Sequence, residues 1–136
     1  MADSVIYESV GTLRYSGDWR LAVEVEQDIA DYYRSLIPKW LPTNRPRWPA
    51  HITVVREEKE RPTKTEAWGK YDGHPIKFWY SPFIHSGKVY YWLNAFSSQL
   101  EDIRVELGLP VRSQYTLPPE GFAKCFHITI ANQKGF

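Results

Sequence analysis

The sequence predicts an α+β fold, bilobal and duplicated, with two antiparallel-sheet lobes, helices outside and a central cleft. Two observations predict it. A β-β-α-β order of strand and helix patterns occurs twice along the 136 residues, which is typical of an internal duplication. Each half also ends in nearly the same tetrapeptide, His51-Ile52-Thr53-Val54 and His127-Ile128-Thr129-Ile130. We expect one domain, residues 1–136, whose lobes are related by an approximate two-fold axis with a ligand site between them.

The first half contains four predicted elements. Residues 11–25 have a hairpin pattern, two strands around a tight turn. Residues 26–37 change to helical spacing, with apolar side chains three and four positions apart, and Pro38 ends this helix. A proline-rich loop, 42–49, leads into a β-rich run at 50–55 that predicts the strand carrying the first tetrapeptide.

The second half repeats this order. Two aromatic-rich strands are predicted at 76–80 and 89–93, around a turn that begins at His85. A capping-box pattern that starts at Ser98 predicts the second helix. The final strand is predicted at 126–131, so the second tetrapeptide occupies the same place in its half as the first.

Composition and charge exclude several classes of protein. The net charge of +1 argues against a duplex DNA binder, which normally carries a marked basic surplus. The single cysteine, Cys125, cannot form an intrachain disulfide and fits a reducing compartment. The N-terminus lacks the pattern of a signal peptide, and no apolar run approaches the roughly 20 residues of a membrane span. We therefore expect a cytoplasmic protein with no membrane partner.

The two tetrapeptides present side chains suited to acid–base chemistry. Because alternate side chains of a strand face opposite ways, His51 and Thr53 share one face, as do His127 and Thr129. Imidazole has an unperturbed pKa near 6.5, so one histidine can accept a proton while the other donates one. The threonine hydroxyls can donate hydrogen bonds to phosphate oxygens. This chemistry needs no cofactor, and no other histidine or cysteine has metal-ligand spacing, so no metal site is predicted.

The paired His-x-Thr motifs resemble those of the 2H phosphoesterase superfamily, which includes 2′-5′ RNA ligase-like proteins and cyclic phosphodiesterases. The resemblance covers essentially the whole chain. It implies that His51 and His127 are catalytic and that Thr53 and Thr129 bind phosphate. It further implies a metal-independent phosphodiesterase acting on a small cyclic nucleotide or cyclic oligonucleotide. The small single domain is similar to phage-type members that degrade such messengers, which implies countering antiviral signalling in the host cytoplasm.

Two alternatives stay open at this point. One is RNA-end processing, in which the protein would open terminal 2′,3′-cyclic phosphates or act on 2′-5′ linkages. The other is a non-catalytic module that sequesters a nucleotide. A small nucleotide, a cyclic oligonucleotide or an RNA end is therefore the expected partner.

The loops before the two motif strands offer further substrate-binding candidates. Arg47 and Trp48 precede the first strand and could grip a phosphate and stack on a base. Tyr115 precedes the second strand and is the comparable candidate. Strand alternation places Arg56 on the face opposite the first histidine, and Lys124 opposite the second, so both are left out of the predicted site.

Overall fold

The computed structural model describes residues 5–17, 19–56, 59–112 and 117–136. Within these residues the chain forms strands and helices in the predicted order, β-β-α-β twice, which is confirmed. The elements are β1 (Tyr7–Ser16), β2 (Arg20–Glu24), α1 (Gln27–Ser35), β3 (His51–Val55), β4 (Pro75–Ser86), β5 (Tyr90–Phe96), α2 (Ser98–Glu106) and β6 (Phe126–Asn132).

The six strands form a single closed antiparallel barrel in the order β1-β2-β3-β6-β5-β4. Each half contributes three consecutive strands, and the halves meet twice, where β1 pairs with β4 and where β3 pairs with β6. The predicted α+β fold of two separate lobes is therefore wrong. A three-stranded sheet on its own leaves two edges of unpaired N–H and C=O groups, and closure of the barrel pairs both edges of each half.

The helices also join the two halves. Helix α1 of the first half packs against β6, and α2 of the second half packs against β3 and β4. Ile52 and Ile128, both fully buried, belong to one continuous apolar cluster with residues of both helices. One apolar core therefore spans both halves, so they are parts of a single barrel and not separate lobes.

The start of α2 differs by one residue from the sequence prediction. Ser97, rather than Ser98, is the N-cap, and its Oγ accepts a hydrogen bond from the backbone N–H of Leu100 at 3.3 Å. The same hydroxyl donates to the carbonyl of Lys77 at 2.8 Å. Because this second bond ties the cap to β4, the tertiary structure decides which of the two adjacent serines begins the helix.

Strand β4 is longer than predicted and includes His85, which the sequence prediction assigned to a turn. The chain reverses at 87–89, where the N–H of Gly87 donates to the carbonyl of Tyr90 at 2.9 Å. His85 pairs across the ladder with Trp92, and their rings stack at 5.8 Å with an interplanar angle of 17°. This cross-strand contact extends the paired strands into the segment from His85 that was predicted as the turn.

Candidate active site

The two motif strands are neighbours in the barrel. β3 and β6 run antiparallel, with Ile52 opposite Ile128. Antiparallel geometry about this pair sets His51 across from Thr129 and His127 across from Thr53. All four side chains line one cavity of about 690 Å³, which we call the histidine groove. The structure thus brings the four predicted catalytic residues together on one face.

Each motif contains a β-bulge at its fourth residue. On β3, Thr53 pairs with Ala22 and Val55 with Leu21, which leaves Val54 as the extra residue. On β6, neighbouring residues of β5 pair with Thr129 and Ala131, so Ile130 is extra in the same way. A bulge places two successive side chains on nearly the same side of the sheet and restarts the alternation beyond them. The duplication therefore extends to the irregularities of the two strands.

Two cations that simple alternation assigns to the opposite face line the groove. Arg56 follows β3, and the bulge at Val54 turns it to the same face as the motif histidine and threonine. Lys124 precedes β6 in a non-strand segment, where the N–H groups of Lys124 and Ala123 donate to Glu101 Oε2 at 3.1 and 2.9 Å. The prediction that places both cations on the opposite face is wrong, because alternation holds only along an unbroken strand.

Two helix arginines hold the bulges in place. Arg104 of α2 donates from Nη1 to the carbonyl of Val54 at 2.7 Å. Arg34 of α1 donates from Nη1 to the carbonyl of Ile130 at 3.3 Å. Each helix therefore caps the bulge of the other half. The available sequence signal was an arginine in the last turn of each helix, which ordinarily indicates only a favourable interaction with the helix dipole.

Arg104 also fixes the segment that follows β3. Its guanidinium binds Glu60 in a bidentate pair at 2.6 and 3.1 Å and donates from Nε to the carbonyl of Pro110 at 2.8 Å. Burial raises the pKa of Glu60, but the hydrogen bonds and charge of Arg104 outweigh it and hold the pKa below the usual value. Glu60 in turn accepts from the backbone N–H of Arg56 at 3.2 Å, so this buried pair positions a groove cation.

The charged lining of the groove is predominantly cationic in the described part of the chain. Its single carboxylate, Glu60, is already paired with Arg104. The cations that line the groove are Arg56, Lys59, Arg104, Arg112 and Lys124. A concave surface that concentrates positive charge attracts anions even when the whole protein is nearly neutral. The net charge of +1 therefore conceals a local excess of positive charge that favours anions.

The tautomer of His51 follows from one contact. Its Nδ1 lies 2.8 Å from the carbonyl oxygen of Pro49. A carbonyl only accepts hydrogen bonds, so Nδ1 carries the proton and donates it. Nε2 is then the nitrogen that remains for a ligand.

The surroundings of His127 keep its ring neutral at pH 7. Burial, followed by the positive charges of Lys124 and Arg56, lowers the pKa of His127 from 6.5 to about 4. The residue is still exposed on its groove side, where water offsets part of the desolvation. Both the burial and the cations favour the neutral ring, and a neutral ring can accept a proton.

A second layer of side chains supports His127. The Trp92 ring lies 5.2 Å from the His127 ring, and Asn94 is the cross-strand partner of His127. Asn94 accepts a hydrogen bond from Trp92 Nε1 at 3.2 Å and contacts His85 Nε2 through Nδ2 at 3.1 Å. Burial lowers the pKa of His85, which suits an imidazole accepting from an amide N–H. Sequence reasoning missed this network because it assigned His85 to a turn.

Two of the predicted substrate-binding residues, Arg47 and Trp48, stand apart from the groove lining. Arg47 and Trp48 are exposed in the loop before β3, with the guanidinium 5.6 Å from the indole centroid, and neither lines the groove. Their role in binding stays a prediction. Tyr115 lies outside the described residues. Cys125, two residues before His127, lines the groove wall.

Within the described ranges, no three His, Cys, Asp or Glu side chains come together as a candidate metal site. Neither helix in the described part of the chain has the length and apolar surface to cross a bilayer.

In comparisons with known proteins, no family model, no curated protein and no solved structure matches this chain.

Proposed function

We propose that this chain is a phosphodiesterase of the 2H type that cleaves a phosphodiester in a small cyclic nucleotide or cyclic oligonucleotide. One observation carries the proposal: two His-x-Thr pairs lie on adjacent strands in a groove whose charged lining is predominantly cationic. Matched imidazoles, hydroxyl donors and cations can together cleave a phosphodiester by acid–base and electrostatic catalysis. Through the motif resemblance, the proposal extends to the degradation of a messenger in antiviral signalling.

The geometry supports different roles for the two histidines. His127 is neutral before substrate binds and accepts the proton of an attacking 2′-hydroxyl or water. His51 keeps Nδ1–H on the carbonyl of Pro49 and donates from Nε2 to the departing ribose oxygen. The bond from the attacking oxygen to phosphorus forms as the bond to the leaving oxygen breaks. Each positioned acid or base contributes about 10²–10⁴-fold to the rate.

The register of β3 and β6 suits an in-line displacement. His51 and His127 are diagonal neighbours across the Ile52–Ile128 pair, a relation that separates Cβ atoms by about 7–8 Å or slightly less. Two imidazoles at this spacing can flank one phosphate, with Thr53 and Thr129 donating to its non-bridging oxygens. The imidazoles supply both proton transfers, so this scheme requires no metal ion.

The size of the groove supports a small substrate. Its 690 Å³ lies within the range of about 300–1,000 Å³ typical of small-molecule sites. A cyclic nucleotide or a segment of a cyclic oligonucleotide fits this space, whereas a folded RNA would need contacts well beyond it.

The test is hydrolysis, in EDTA, of a panel of cyclic dinucleotides, cyclic trinucleotides and 2′,3′-cyclic mononucleotides, with RNA bearing a 2′,3′-cyclic phosphate end as a further substrate. We expect the parent to cleave a small ring, His51→Ala and His127→Ala to lose that activity, and His74→Ala to retain it. His74 is exposed in the loop before β4 and does not line the groove, so it is a matched control. Cleavage of the RNA end alone would support RNA-end processing instead, and recovery of bound nucleotide unaltered would support sequestration.

A further inference from the structure

A second concave site lies outside the histidine groove. It is a shallow cleft of about 330 Å³ between the first turns of α1 and the neighbouring strands β1 and β4. We call it the tyrosine cleft; its lining is Tyr7, Asp28, Ile29, Tyr32, Tyr33 and Tyr80. None of these residues lines the groove, and the proposed phosphodiesterase chemistry makes no use of them.

The tyrosine rings surround the cleft at different angles. Tyr33 is only 8% exposed and forms the floor, whereas Tyr7 and Tyr32 are 48% and 59% exposed and form open walls. The Tyr33 ring packs edge-on against Tyr80 at 6.1 Å and against Tyr32 at 5.0 Å, with interplanar angles of 78° and 85°. Tyr7 is tilted against Tyr80 at 5.8 Å. Several π systems therefore border one small space, which is the form of an aromatic cage.

The charge around the cleft is negative. Asp28 is part of the lining and is exposed, and Glu26, the N-cap of α1, acts electrostatically on Tyr80. The negative charge of these two carboxylates outweighs the partial charge of roughly +0.5 at the N-terminus of the helix. The cations Arg34 and Arg45 pair with another carboxylate, Asp31, at 2.7 and 3.7 Å. None of the lining residues is basic.

We propose that the tyrosine cleft binds a quaternary or methylated ammonium group. Such a cation is weakly hydrated, offers its whole surface to the ring faces, and needs no hydrogen-bond acceptor for each alkyl group. The carboxylate of Asp28 supplies the opposite charge. The group can belong to a small molecule or to a methylated lysine of a protein, because both present the same cation. This site would be separate from any activity of the histidine groove.

The test is a titration of the full chain followed by the NMR signals of the tyrosine rings. The probes are choline and its neutral isostere 3,3-dimethylbutan-1-ol. We expect choline to shift the ring signals of the cleft to saturation, and the alcohol to cause no such shift at the same concentration. Equal binding of the alcohol, or no shift with either probe, would overturn the proposal.

Variants identify the groups responsible. Tyr32→Phe keeps the π face and should bind choline as the parent does, whereas Tyr32→Leu should weaken binding about 5-fold. Asp28→Asn should also weaken it. Because Tyr32 is exposed, we expect both Tyr32 variants to fold, and thermal unfolding verifies this. His51→Ala should bind choline normally, and unchanged affinity in Tyr32→Leu would refute the cage.

A further arm distinguishes the sources of the cation. A peptide containing trimethyllysine is titrated beside the same peptide with unmodified lysine. Tighter binding of the trimethyllysine peptide than of choline supports a protein ligand, and tighter binding of choline supports a small molecule. If the unmodified peptide binds as well as the trimethylated one, methyl recognition is refuted.

Discussion

Replacing Arg104 by methionine should destabilise the fold strongly. The residue is 1% exposed, and its guanidinium makes four hydrogen bonds, to the carbonyls of Val54 and Pro110 and to both carboxylate oxygens of Glu60. Arg104→Met would leave two carbonyls and a carboxylate without their donor. Removal of one partner from a buried ion pair costs about 3–5 kcal/mol.

The structure places the expected loss near the lower end of that range. The Glu60 side chain keeps 24% of its surface accessible, so water can solvate part of the orphaned charge. We expect the free energy of unfolding to fall by about 3 kcal/mol, which for a chain of this size lowers the Tm by roughly 10 °C. The equivalent replacement, Arg34→Met, is the matched control. It should cost clearly less, because Arg34 and Asp31 are 21% and 37% exposed and water screens their charges.

The assay is urea unfolding followed by tryptophan fluorescence, repeated over a range of pH. In the fold the pKa of Glu60 is held below its usual 4.5, so the pair stabilises the parent above the unfolded value and loses that contribution as pH falls through the folded value. The difference between parent and Arg104→Met should therefore shrink in acid. Adding Glu60→Gln to the variant should restore part of the lost stability. Equal losses for Arg104→Met and Arg34→Met, or a difference independent of pH, would refute the reasoning.

Three further predictions concern the site and the barrel. Lys124→Gln should raise the pKa of His127, because it removes a charge that disfavours the imidazolium; an NMR titration with an unchanged or lower midpoint would contradict this. Thr129→Val should lower kcat/KM for the cleaved nucleotide about 10²–10³-fold, because it loses a hydrogen-bond donor to the phosphate. Thr129→Ser keeps the hydroxyl, so its kcat/KM should stay within about 10-fold of the parent value. Equal losses in the two variants would show that the hydroxyl takes no part in the reaction. Gly11→Ala should cost about 1–3 kcal/mol, because its Cβ would lie 2.6 Å from the Glu24 carbonyl oxygen; urea unfolding that shows almost no loss would contradict this close approach.

The duplicated element order and the four motif side chains could be predicted from sequence because each depends on local pattern. Strand alternation correctly groups His51 with Thr53, since the bulge comes only after them. The same rule fails for Arg56, which lies beyond the bulge. Nothing in the tetrapeptide marks Val54 as an extra residue, because the bulge is defined by its register against β2 and by the Arg104 bond to its carbonyl.

The sequence by itself determined which side chains can do acid–base chemistry and that they come in two equivalent copies. Only the tertiary structure decided that the copies share one barrel, because pairing of β1 with β4 and of β3 with β6 depends on edges that lie far apart in the chain. It also decided the charge of the site. Arg56 after β3, Lys59 beyond it and Lys124 before β6 converge on one groove in a protein whose net charge is only +1. Composition sums charges over the whole chain, whereas a ligand experiences only those that the fold brings within a few ångströms of it.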